Sequence, residues 1–94
     1  VIPCKDLEHG LEIANDTEFG LSSAVITTSL AKAEYFKQNI KTGVAAVNLP
    51  TAGLDYHVPF GGRKASSFGL REQGTYAKEF YTQIKTSYIN SGSI

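Results

Sequence analysis

Between Leu21 and Val47 the chain reads as strand, helix and strand joined by short connections, an order that leaves few folds open. Leu21–Thr28 is a short run ending in Val25, Ile26, Thr27 and Thr28. Its β-branched residues predict a strand covered on both faces. Ser29 stands at the N-cap of a helix over Leu30–Lys41, with Leu30, Ala33, Phe36 and Ile40 as its buried stripe. Lys32, Glu34, Lys37 and Gln38 fall on the solvated side. Lys41 complements the last turn, and Gly43 stands where a C-cap glycine belongs. Val44–Val47 then reads as a second buried strand. A βαβ unit implies parallel strands and a right-handed crossover, which puts the chain in the α/β class.

The flanks fit around this unit. Lys5–Asn15 is an amphipathic helix with Asp6 as N-cap and Leu7, Leu11 and Ala14 on one face. Gly10 inside it costs about 1 kcal/mol against alanine. A helix stop and turn run from Asn15 to Gly20. Asn48–Val58 leaves the second strand, and ligands in open parallel sheets bind beyond the carboxyl ends of strands. That rule predicts a mouth lined by Leu49 to His57. A third helix is expected over about Gln73–Thr82, with Tyr76 and Phe80 on one side and Ala77 and Tyr81 on the next. Ile84–Ile89 alternates as a strand with one more apolar face, and Asn90–Ser93 is a loose tail.

Pro59–Gly74 is the other unusual stretch. Four glycines fall within sixteen residues, together with two phenylalanines and four ionisable side chains. Glycine permits positive φ or a close backbone approach, and a mere linker has no use for the other side chains. An ordered loop that runs past something and then opens a helix fits this composition.

Composition excludes several classes. Nine basic and nine acidic residues cancel, so the chain has no electrostatic footprint for nucleic acid or a membrane surface. No apolar run approaches a bilayer-spanning length. One cysteine permits neither an internal disulfide nor a multi-cysteine metal site. The 94 residues, 41% hydrophobic and 19% charged, make one small globular domain or a piece of a larger one. Val1 in place of methionine fits a fragment, and the opening residues carry no signal-peptide pattern; the expected location is cytoplasmic.

No complete catalytic constellation emerges from the residues. Cys4 lies far in sequence from both histidines and reads as an incidental, semi-buried thiol. Asp55, His57 and Ser66 or Ser67 supply the residue types of a hydrolytic triad, without the strand-elbow-helix context that such a triad needs. His9 falls on the exposed face of the first helix and His57 on a mouth or surface. Neither has a partner at metal-ligand spacing, so no metal is expected. Gly61–Ser66 lacks the ending of a phosphate loop, although its glycine amides and Lys64 leave an anion nest open. Asn15-Asp16-Thr17 matches a glycosylation acceptor and Arg63–Ser66 a phosphorylation site. Both read as chance.

Five blocks in order resemble the C-terminal end of the NAD(P)-dependent aldehyde dehydrogenase superfamily. Ala14–Val25 is similar to its A-N-D-T-x-Y-G-L block and Thr42–Asn48 to its strand ending in V-N. Pro59–Ser66 is similar to P-F-G-G-x-K-x-S. Arg71-Glu72 with Gly74 resembles R-E-x-G, and Phe80–Thr86 the Y-T-x-x-K-T ending. Ser67 replaces a common glycine, and one residue is added before Arg71. The run Asn48–Gly53 and Arg71–Gly74 resemble the branch acting on α-ketoglutarate semialdehyde (2,5-dioxovalerate).

The resemblance implies the end of a chain several times longer, an NAD(P)-dependent enzyme oxidising an aldehyde to a carboxylic acid through a cysteine thioester. Its nucleophile, general base and dinucleotide-binding strands would lie upstream, so no catalytic residue and no NAD or NADP site is expected within these residues, and the piece is expected to be inactive alone. Residues 1–83 would belong to the catalytic domain, and residues 84–94 would form an oligomerisation strand and tail in a dimer or tetramer. Leu49, Thr51, Leu54, Tyr56 and Phe60 would line the tunnel for a small aldehyde. Asn48, Pro59, Gly61, Gly62, Lys64, Arg71 and Glu72 would form the structural loop, the glycines turning beneath the pocket and the charged residues holding it by charge-assisted hydrogen bonds. The partners implied are the remainder of the parent chain and further copies of it. A stand-alone α/β binding module with an anion site at the glycine-rich loop is the competing reading.

Overall fold

Asp6 sets the first element. In the computed structural model, which describes residues 1–92, its backbone is extended and its side chain accepts from His9 N. Helix α1 follows as Leu7–Asn15. Two short strands come next, β1 (Phe19–Gly20) and β2 (Ser22–Val25). Ser29 accepts from Lys32 N and caps α2, Leu30–Asn39. Strands β3 (Val44–Val47) and β4 (Arg63–Lys64) follow, then a 3₁₀ turn over Gly74–Tyr76 that runs into α3, Ala77–Tyr81.

Strands β2 and β3 pair in parallel, Ser22 opposite Val44 and Val25 opposite Val47. With α2 as the connection this is the βαβ unit, and the chain is α/β. The core lies where α1 and α2 meet the sheet. Leu11, Phe36 and Ile40 are buried together, with Leu7 and Val25 packed against them and Ala33 nearby.

Several expected details differ. Leu30 is 77% exposed, so the buried stripe of α2 begins at Ala33. The helix stops at Asn39 because Ile40 turns extended and keeps its side chain in the core; Lys41 lies outside the last turn. Gly43 is not a helix cap. It is needed for a close approach, because a Cβ there would sit 1.8 Å from the carbonyl oxygen of Gly61. The parallel strands are not covered on both faces: Ala24, Ala45 and Ile26 are exposed. Ala14 is exposed as well, whereas His9 is half-buried, its Nδ1 accepting from Lys5 N. Cys4 is exposed rather than semi-buried.

The third helix shortens for a local reason. Gln73 has φ 68° and ψ 163°, which a helix cannot continue from, so the turn starts at Gly74. After Thr82 the described chain runs on with no ladder partner. Ile84, Tyr88 and Ile89 are 91, 95 and 92% exposed, so Ile84–Ile89 forms no strand among the described residues. This segment stretches the molecule to 76 × 25 × 22 Å and raises the radius of gyration to 19.5 Å, against about 12 Å for a compact chain of this length. The expected tail at Asn90–Ser93 reaches Ser93, which lies outside the described residues.

Candidate functional site

The glycine-rich loop is pinned to the start of the sheet rather than to its far end. Strand β4 pairs antiparallel with β1, Phe19 opposite Lys64 and Gly20 opposite Arg63. Gly61 meets Gly43, one residue before β3. Phe60 and Glu72 form an antiparallel bridge, with Phe60 N donating to Glu72 O at 2.7 Å and Glu72 N to Phe60 O at 2.8 Å. Gly74 N donates to Tyr56 O at 3.1 Å. The chain therefore leaves the carboxyl end of β3 at Asn48 and doubles back to the amino end of the parallel pair.

The turn is made by Asn48 itself. At φ 55° it departs from the strand direction. Its Oδ1 accepts from Thr27 N and its Nδ2 donates to Thr27 O, both at 2.9 Å. The side chain thus stands in for a strand neighbour of the segment beyond β2.

Side chains tie the loop down. Lys64 Nζ donates to Asn15 O at 2.7 Å and Thr17 O at 2.9 Å, covering carbonyls at the end of α1. Arg71 Nη1 donates to Gly62 O at 2.5 Å, and its guanidinium lies against Gly61. Glu72 acts through its main chain; its carboxylate makes no hydrogen bond or ion pair among the described residues, so the expected charge-assisted bond is absent there. Gly61 and Gly62 are buried but neither has positive φ, so neither supplies the expected special turn. What they permit is contact: a Cβ on Gly62 would lie 2.8 Å from Ser66 Cβ. Positive φ falls instead on Lys64, Gln73, Gly69 and Gly74 in this stretch. Pro59 is exposed at the loop's entry.

A cleft of about 400 Å³ opens beside this loop. Thr51, Leu54 and Phe60 line it from the loop side, Leu21 and Ser22 from the start of β2, and Gln73 from the corner before the 3₁₀ turn. Three of the five expected tunnel residues are thus brought together. Leu49 and Tyr56 are not: they are 64 and 84% exposed, and the Tyr56 ring stacks edge-on to His57 with centroids 5.6 Å apart. The cleft adjoins the amino end of β2, whereas the strand-end rule points beyond the carboxyl ends. A wider groove of about 740 Å³ runs between α1 and α2, lined by Glu8, His9, Glu12 and Tyr35 among others. It touches no residue of the glycine-rich loop.

Gln73, Leu21 and Ser22 are the cleft residues that sequence reasoning missed. Gln73 combines a backbone conformation costing about 1–3 kcal/mol with a buried side-chain oxygen that has no partner. Its setting in Arg71-Glu72-Gln73-Gly74, directly before a positive-φ glycine, was the available signal.

The other candidates are accounted for. Ser66 Oγ accepts from Gly20 N at 2.8 Å and Ser67 Oγ from Gly62 N at 2.6 Å, so both hydroxyls are loop bonds and not nucleophiles. With Gly62 N, Ala65 N, Ser66 N and Lys64 Nζ all engaged, little is left to build an anion nest. The Asn15 amide is likewise occupied, by Asn39 O and Lys41 N. Among the described residues no three His, Cys, Asp or Glu side chains gather as a metal site, and no helix is long and apolar enough to cross a membrane.

Comparison with known proteins agrees with the five sequence blocks. The model of the aldehyde dehydrogenase family matches residues 1–87. An α-ketoglutarate semialdehyde dehydrogenase of Haloferax volcanii is 44% identical over 94% of this chain, and an α-ketoglutaric semialdehyde dehydrogenase of Bacillus subtilis is 40% identical over 95%. The chain spans 18% of the length of each. A crystal structure of a Mycobacterium tuberculosis aldehyde dehydrogenase complexed with NAD+ superposes with a TM-score of 0.80 at 36% identity, over 99% of this chain and 19% of that one. Matched along nearly its whole length in sequence and in fold, the chain belongs to the aldehyde dehydrogenase family.

Proposed function

We propose that these residues form part of the substrate-tunnel wall of an NAD(P)-dependent aldehyde dehydrogenase that oxidises an aldehyde to a carboxylic acid through a cysteine thioester. The observation that carries the proposal is the cleft, in which Thr51, Leu54 and Phe60 meet beside a loop fastened by Lys64 and Arg71. An apolar wall with a few polar groups on a fixed scaffold suits a small organic substrate. The relatives' names make an aldehyde with a second polar function, such as α-ketoglutarate semialdehyde, the substrate class to test first.

The cofactor belongs to the rest of the parent chain. The loop amides that would cradle a phosphate are already bonded, so the glycine-rich loop does not fit the phosphates of a dinucleotide. NAD or NADP, bound elsewhere, would accept the hydride; this segment shapes the approach of the aldehyde and excludes water from one side of it. The same bonds argue against an isolated anion-binding module.

Surface area supports a covered state. The chain exposes 7843 Å², against about 5300 Å² for a compact protein of its mass. The remainder of the parent would cover the open faces of β2 and β3. The segment Ile84–Ile89 would complete a sheet with another copy, giving a dimer or tetramer in the cytoplasm.

The test is NAD- and NADP-linked oxidation of an aldehyde series by the 94-residue chain and by its full-length parent. Turnover is expected from the parent and none from the short chain. Turnover by the short chain that disappears in Cys4→Ser would overturn the proposal.

A further inference from the structure

Gln73 stands out from the rest of the cleft. Its neighbours there are the apolar side chains of Leu21, Leu54 and Phe60 and the hydroxyl-bearing Ser22 and Thr51. Its Oε1 is buried and has no hydrogen-bond partner. A buried amide oxygen left unpaired is unusual, and its backbone is held in a conformation that side-chain-bearing residues rarely adopt. The structure holds that conformation from both sides: Glu72 is bridged to Phe60, and Gly74 is bonded to Tyr56. A Cβ on Gly74 would lie 2.4 Å from His57 O, so the corner packs directly against the loop backbone. Gln73 is thus held beside the cleft by a stiff corner, with an amide oxygen that has no partner. It can turn over to offer its NH₂ end or its oxygen.

We propose that Gln73 is a specificity-determining residue, whose amide hydrogen-bonds a polar group at the far end of the aldehyde substrate. The inference rests on the aldehyde reading above and deepens it by naming the residue that would select aldehydes carrying a second hydrogen-bonding function over simple alkanals. The physical basis is asymmetric. A polar-ended substrate satisfies the amide, whereas an apolar chain of the same length leaves it buried and unpaired.

Three aldehydes of equal chain length test it on the full-length parent: 5-oxopentanoate, 5-hydroxypentanal and pentanal. The wild type is expected to favour at least one polar-ended substrate over pentanal. Gln73→Leu keeps the size and the backbone demand but removes the amide. It is expected to lower kcat/KM for the favoured polar aldehyde about tenfold relative to pentanal, mostly through KM, while pentanal holds or improves. Gln73→Glu keeps the length and fixes an anionic acceptor. It is expected to reject 5-oxopentanoate more strongly than Gln73→Leu does and to spare 5-hydroxypentanal.

An equal change on all three aldehydes in either variant overturns the proposal, because a merely structural amide would move them together. Should Gln73→Leu fail to fold by thermal melting, the same comparison with Gln73→Glu decides. If the wild type oxidises none of the three nor any other aldehyde, the aldehyde reading itself falls and this inference with it. If the wild type is active but the ratios do not shift, only the role of Gln73 falls.

Discussion

Gly43 and Gly61 touch backbone to backbone, so tightly that a Cβ on Gly43 would lie 1.8 Å from the Gly61 carbonyl oxygen. This contact places the glycine-rich loop at the amino end of the parallel pair. Gly43→Ala is therefore expected to cost the parent enzyme about 3 kcal/mol or more, enough to lower soluble yield sharply. Gly53→Ala is the control: its φ is +83° but its surroundings are open, so only the backbone penalty of about 1 kcal/mol applies. Equal urea midpoints for the two variants would show that the contact is not tight.

Lys64 offers a second test of how the loop is held. Its ammonium bonds Asn15 O and Thr17 O, both on an exposed part of the surface. Lys64→Met should cost the parent about 1 kcal/mol after allowance for solvent. Steady-state kinetics should change little, because the side chain points away from the cleft toward α1. A denaturation midpoint identical to the wild type's counts against the role.

Phe60 and Tyr56 separate cleft from rim. Phe60 is half-buried and lines the cleft, whereas Tyr56 is 84% exposed and does not. In the parent, Phe60→Ala is expected to lower kcat/KM for bulky or apolar aldehydes about tenfold, and Tyr56→Ala by less than about twofold. The reverse order across an aldehyde series would move the tunnel to the Tyr56 side.

The segment after Thr82 carries the assembly prediction. Ile84, Tyr88 and Ile89 are almost wholly exposed, with the backbone unpaired. Ser87→Pro removes a ladder donor from any strand formed there with another copy. Sedimentation should show the parent shifting from oligomer toward monomer. A fully assembled Ser87→Pro variant would assign assembly to another surface.

How much of this was legible from the residues varies by element. Asp6 and Ser29 announced their helices because a cap is a local bond between neighbours. The parallel pair was legible from the strand, helix, strand order. The course of the loop was not. It is set by Gly43 against Gly61 and by Arg63 against Gly20, contacts between residues far apart in sequence, and periodicity says nothing about those. Gly43 was mistaken for a cap because its position after a helix suits either role. Leu30 and Ile26 read as core and are exposed, because an apolar residue on a face that this chain leaves uncovered looks the same in sequence as one that is buried. Phe60 entered as a tunnel residue by resemblance, and Thr51 and Leu54 by the strand-end rule and by resemblance; Gln73 needed its dihedral angles and its missing partner to be seen.

The bonds that fasten the loop reach far back along the chain: Lys64 to Asn15 spans 49 positions and Ser66 to Gly20 spans 46. Such links can close only after α1 and the strands they grip have formed, since bringing distant segments together costs chain entropy before any contact repays it. The wall of the cleft is thus expected to be the last part of this segment to form. By the same logic it is the first to let go. Amide exchange at Gly62 and Ala65 should outpace exchange within α2, and aldehyde binding should slow it, so that substrate closes the fold it enters.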